Sequence, residues 1–222
     1  MGLFLCMMTQ VVSAQIPTDN ELWLGGAIDL KLNKKWSVEL EEQFRINNNI
    51  STLNQAFTEL SGKYKINKYF GLKGNYRFVG RPKKNNKNRL SIDILAKWKK
   101  KNFPLSFGYR LRLQRAITSG SKNTRSYIRN KFGVNYNLSK LVDPFIAYEI
   151  YFRPDKKEFR VSRITLGLDW KLNKRMELTS FYRIQRDINI KKPTRQNIIG
   201  VMFTYNTSWK KLTNKKSDKS SI

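Results

Sequence analysis

The stretch Trp36-Ser37-Val38-Glu39-Leu40-Glu41-Glu42-Gln43-Phe44-Arg45-Ile46 decides the fold. Trp36, Val38, Leu40, Phe44 and Ile46 share one parity, while Ser37, Glu39, Glu41, Gln43 and Arg45 take the other. A period of two over this length fits a strand with one apolar and one polar face, and contradicts a helix, whose apolar positions recur about every 3.6 residues. Upstream, Leu22, Leu24, Ile28, Leu30 and Leu32 keep one parity against Asp29 and Lys31, and Asn33-Lys34-Lys35 turns the chain between the two segments.

The same pattern recurs downstream. Leu60 to Ile66 turns at Asn67-Lys68 into Phe70, Leu72, Tyr76 and Phe78; Leu90, Ile92, Ile94 and Trp98 return through Leu105, Phe107, Tyr109, Leu111 and Leu113. Ile128 to Leu138, Ile146 to Phe152, Ile164 to Leu172, Met176 to Ile184 and Ile199 to Tyr205 complete the series. Short connections are expected near 33–35, 67–68, 99–104, 139–143 and 173–174, and longer ones near 47–54, 80–88, 116–124, 154–158 and 187–195. Trp36, Trp98, Trp170 and Trp209 fall near the short connections, where indole rings would meet a headgroup layer.

This rhythm predicts an all-β fold, an antiparallel transmembrane β-barrel of about 10 to 12 strands with short periplasmic turns and longer extracellular loops. The mean hydropathy of -0.59 agrees with it, because a barrel strand crosses with only about 9–11 residues, half of them polar. The count comes to about eleven, whereas single-chain bacterial barrels have an even number. Either the first segment is two pieces, or one assigned strand lies outside the wall. The competing fold is a secreted soluble β-sandwich acting as a binding protein. It has the same alternation, with the apolar faces turned inward.

Residues 1–14 read as a signal peptide, with a mainly apolar Gly2–Val12 and the processing site Val12-Ser13-Ala14 ahead of mature Gln15. Lys and Arg are missing before Leu3, so the start is expected to lack part of its signal. The single cysteine, Cys6, lies in this segment, leaving the mature chain without thiol chemistry. The barrel domain is expected over 15–209, and 210–222, with Lys210-Lys211 and Lys215-Lys216, reads as a basic, disordered tail.

Forty-four Lys and Arg against sixteen Asp and Glu give a formal charge of +28. Nucleic acid is the usual partner of such an excess. Here the basic residues are spread along every strand, without a helix, zinc site or RNA-binding signature to present them, which argues against it. Arg45, Lys73, Arg77, Arg110 and Arg112 have the polar parity, as do Arg129, Lys131, Arg163 and Arg183. They share it with Glu39, Glu41, Glu59, Asp93, Glu149, Asp169 and Glu177. Two readings follow. The basic excess could line a narrow pore for small anionic solutes. Alternatively, the two signs could pair into a closed, salt-bridged lumen, leaving a structural or interaction barrel. A second basic group, Arg81, Lys83, Lys84 and Lys87, is expected to face outward and contact lipopolysaccharide phosphates. The other expected partner is outer-membrane lipid, and a monomer is favoured.

The chain contains no histidine, so a Ser-His-acid triad and an imidazole metal site are both excluded. Glu39 and Glu41 share a face, as an acid and base pair would, but so does any lumenal salt-bridge ladder. The reading is therefore non-enzymatic, with no cofactor or metal.

Three segments, Asn20-Glu21-Leu22-Trp23-Leu24-Gly25, Lys31-Leu32-Asn33-Lys34-Lys35-Trp36-Ser37 and Glu39-Leu40-Glu41-Glu42-Gln43-Phe44-Arg45, carry a resemblance. With the later hairpins, the chain resembles a family of uncharacterised Gram-negative outer-membrane barrels known as domain of unknown function 2490. The resemblance implies an exported outer-membrane barrel. It supplies no activity or catalytic residues.

Overall fold

The computed structural model describes residues 16–120 and 124–209; the expected signal peptide and basic tail lie outside the described residues. Among the described residues, eleven strands follow one another: β1 (Thr18–Lys31), β2 (Trp36–Asn47), β3 (Thr52–Lys65), β4 (Phe70–Gly80), β5 (Lys87–Lys99), β6 (Leu105–Thr118), β7 (Thr124–Tyr136), β8 (Val142–Arg153), β9 (Glu158–Lys171), β10 (Met176–Asp187) and β11 (Arg195–Ser208). They close into a barrel in sequence order.

Every consecutive pair is antiparallel, whereas β1 and β11 run parallel, from Thr18 opposite Arg195 to Lys31 opposite Ser208. An odd number of up-and-down strands must bring the first and last together pointing the same way. Both expectations raised by the strand count are thereby corrected: the first segment is a single strand and all eleven strands form the wall. Parallel pairs are slightly weaker per residue, and this seam extends over the whole of β1.

Local chemistry sets the turns. At one end, the Asn33 side-chain oxygen accepts the backbone N–H groups of Lys35 and Trp36 at 2.8 and 2.9 Å. Asn67 does the same for Tyr69 and Phe70, and Asn173 for Arg175 and Met176. An Asn oxygen used this way mimics a backbone turn and fixes the hairpin register. This is the short-turn end.

At the loop end, 81–86 and 188–194 are the longer connections. The loop expected near 47–54 contracts to 48–51, because β2 and β3 stay paired as far as Asn47 and Thr52. Asn48, Asn49 and Ile50 take left-handed φ values of 55°, 53° and 63°, and the Asp19 carboxylate accepts the N–H groups of Asn48 and Asn49.

The faces are sorted inside out. Leu40, Phe44, Leu60, Ile92, Leu113 and Leu166 are exposed on the outer wall, while Glu59, Asp93, Arg112 and Arg129 are buried inside. A soluble sandwich would reverse this arrangement, so the wall is that of a transmembrane barrel. Trp36, Trp98, Trp170 and Trp209 are exposed at the short-turn end. Polar groups on the outer face are tied to neighbours: Thr58 donates to Glu42, and Tyr109 to Asn130.

One inner row shapes the lumen. Across five adjacent strands the register aligns Phe145, Gly167, Phe181, Gly200 and Trp23. The rings of Phe145 and Phe181 lie over Gly167 and Gly200, where any Cβ would collide with them. Aromatic rings laid over cross-strand glycines pack against the wall instead of filling the interior.

Candidate functional site

Among the described residues, three cavities are lined by inward-facing charged side chains. The loop-end cavity, of about 450 Å³, is lined by twelve basic side chains and three carboxylates, Glu41, Glu59 and Glu149. A cavity of about 200 Å³ towards the short-turn end has Asp29, Glu39 and Asp93 against Lys63, Lys73, Arg110 and Arg112. A third, of about 490 Å³, is roomy because Gly108, Gly133 and Ala147 line it alongside Lys97, Lys131 and Asp169. Arg110 borders all three.

Strand register creates the crowding of charge. Lys63 stands directly opposite Lys73, Arg77 opposite Arg89, Arg110 opposite Lys131, and Arg112 opposite Arg129. Like charges in such rungs destabilise a sheet, so each needs a counter-charge. Glu149 serves three guanidinium groups, those of Arg110, Arg129 and Arg163, at 2.5, 2.9 and 3.5 Å. Arg112 binds Asp93 through two bonds of 2.6 and 2.7 Å, and Arg77 pairs with Glu59 at 2.5 Å. Buried pairs of this kind are strongly coupled, because removing one member strands the other in a low-dielectric site.

The neutralisation is incomplete. Among the described residues, no ion pair reaches Arg45, Arg89 or Arg183. Arg45 donates Nε to Gln43 Oε1 at 2.7 Å, and Arg183 donates Nε to Thr165 Oγ1 at 2.9 Å. The guanidinium of Arg45 lies 3.6 Å from the Trp23 ring centroid, with those of Arg183 and Arg163 at 5.0 and 5.8 Å. A cation over an indole face gains roughly 0.5–2 kcal/mol, which partly offsets the missing counter-charge.

Arg45, Lys73, Arg77, Arg110, Arg112, Arg129, Lys131, Arg163 and Arg183 all line the loop-end cavity, with Glu41, Glu59 and Glu149. Glu39 and Asp93 line the small cavity, and Asp169 the third. Glu177 is exposed on β10 and is not brought to these cavities. Arg81 is folded back on its own loop, donating to the Asn85 carbonyl oxygen, and Lys83 and Lys84 are exposed. Lys87 departs from the outward position expected of it: β5 begins there, and its side chain lines the loop-end cavity. Sequence reasoning missed Arg89, read as part of a basic loop although it shares parity with Asp93, and Trp23, hidden between Leu22 and Leu24.

Among the described residues, no group of three or more His, Cys, Asp or Glu could hold a metal ion. The architecture is that of a transmembrane β-barrel with a cationic lumen. The family described as protein of unknown function (DUF2490) matches residues 20–197, and the chain belongs to that family.

A comparison with curated proteins finds no match. Among solved structures, the NanC porin is similar at a TM-score of 0.50 and 11% identity, over 75% of this chain and 86% of that one. The KdgM porin in complex with disordered oligogalacturonate has a TM-score of 0.46 and 16% identity, over 80% of this chain and 92% of that one. The anion-selective porin from Comamonas acidovorans has a TM-score of 0.38 and 10% identity, over 76% of this chain and 55% of that one. The likeness to NanC concerns the fold alone.

Proposed function

We propose that this protein is an outer-membrane pore that passes small anionic solutes. The observation that carries the reading is the loop-end cavity, where twelve basic side chains meet three carboxylates. Uncompensated charge in a confined interior is costly, so such a lumen draws mobile anions from solution and repels cations. Eleven strands stand between the eight whose side chains fill a barrel and the 16–18 that leave a wide aqueous channel. The path is therefore narrow, and Arg110, which borders all three cavities, lies at their junction. Exposed Lys83 and Lys84 would meet lipopolysaccharide phosphates at the loop end. The reading assigns no residue a catalytic role.

A second reading, a closed structural or interaction barrel, is supported by Glu149, which joins side chains of β6, β7 and β9. Single-channel recording in a planar bilayer separates the two. Steps whose reversal potential in a salt gradient follows the anion support the pore. An inserted but silent barrel, or cation-selective steps, would overturn it.

A further inference from the structure

We infer that Arg45, Arg163 and Arg183, gathered on Trp23, form with Arg89 a binding site for an oxyanion solute carrying two or more negative charges, reached from the loop end. The inference rests on the pore reading and deepens it: the lumen holds its solute at a defined place as well as attracting it.

The three guanidinium groups lie within 3.6 to 5.8 Å of one indole ring. Arg45 and Arg183 donate to the neutral oxygens of Gln43 and Thr165. A guanidinium has five N–H donors in a planar fork, so most of this donor set is uncommitted. Arg89 Nε is buried and without a hydrogen-bond partner. Arg163 donates to Gln185 Oε1 at 2.5 Å and reaches Glu149 only at 3.5 Å, so its counter-charge is held loosely. Glu21 accepts the Trp23 indole N–H at 2.7 Å and forms no ion pair with these arginines. The local chemistry is that of a site short of oxyanion acceptors.

The approach has the same character. Lys87 and Arg125 line the loop-end part of the cavity, and Lys87 precedes Arg89 by two residues on β5. Residues two apart on a strand face are separated by about 6.8 Å, a ladder that favours a solute with several anionic groups over a halide. Carboxylate and phosphate both match the planar fork in bidentate fashion. A cavity of about 450 Å³ admits a small organic anion.

Trp23 serves as the reporter, being the tryptophan that lines the cavity. The experiment titrates the detergent-solubilised full chain with citrate, with pyrophosphate and with sodium chloride at matched ionic strength. The emission of Trp23 is read as the difference between the native chain and Trp23→Phe. The expected result is a saturable change with half-saturation at about 1 mM or below for the organic or phosphate anion, and none with chloride. Tighter citrate binding assigns the site to carboxylates, and tighter pyrophosphate binding to phosphates.

Arg45→Gln and Arg183→Gln should each raise the half-saturation about tenfold, while Lys97→Gln, which removes a charge from the other end of the lumen, should leave it unchanged. Calorimetry on the native chain and Arg183→Gln gives the same answer without the Trp23 variant. A change that tracks ionic strength without saturating, or that falls equally in Lys97→Gln, would overturn the site. A silent barrel that still binds citrate removes the pore and keeps the site; a conducting barrel without saturation does the reverse.

Discussion

The two ends of the lumen are built from similar residues with different balances. In the small short-turn cavity, four basic side chains face three carboxylates, and Lys73 reaches Glu39 at 2.8 Å. In the loop-end cavity, twelve basic side chains face three, and Glu149 is shared among three of them. Charge near balance serves the wall, since Lys73 is held by Glu39 and Arg112 by Asp93 within the same cavity. Charge far from balance acts on solutes, since the remainder must be met from solution. On the pore reading, the contrast assigns selectivity to the loop end and a structural role to the other.

The largest effect should come from Glu149. Glu149→Gln leaves three guanidinium groups without their shared counter-charge and should lower unfolding stability by about 3–5 kcal/mol, seen as a fall in the urea midpoint in lipid vesicles. Glu39→Gln breaks a pair whose side chains are 18% and 26% exposed, and should cost about 0–1 kcal/mol. Equal losses would end the distinction between the two regions.

Glycines provide a second contrast. Gly200→Ala drives a methyl group into the Phe181 ring beside Trp23 and should cost about 1–3 kcal/mol. Gly108→Ala, in the roomy third cavity, meets open space and should stay within about 0.5 kcal/mol. The same unfolding assay reads both.

A smaller, functional effect sharpens the comparison further. Replacing Arg45, Arg89 and Arg183 together by Gln should reduce the anion-to-cation permeability ratio several-fold, measured as a shift of reversal potential. Replacing Lys63 and Lys97 should move it much less, since those charges lie in the short-turn cavities. A larger shift from the second set would transfer the selectivity to the other end.

Much of the wall was legible because its causes are local. The turns at Asn33, Asn67 and Asn173 are built by the asparagine in each, and alternation follows from the pleat of a single strand. Loop lengths were less legible. Asn48, Asn49 and Ile50 adopt left-handed conformations that let β2 and β3 pair further than polarity suggests. Lys87 and Arg89 read as loop residues because they end a basic run, yet pairing with β4 and β6 draws them into the wall. The odd strand number was legible as a count, but its resolution needed the parallel seam of β1 and β11.

The sequence by itself determined a strand-built wall with one apolar face, Asn-based hairpins and a large excess of basic residues on the polar parity. Only the tertiary structure decided which of those cations are neutralised. That Glu149 serves Arg110, Arg129 and Arg163 while Arg45 and Arg183 rest on Trp23 follows from strand order, register and closure. The physical reason is range: alternation is a property of one strand, whereas neutralising a charge depends on which strands closure brings within hydrogen-bonding distance.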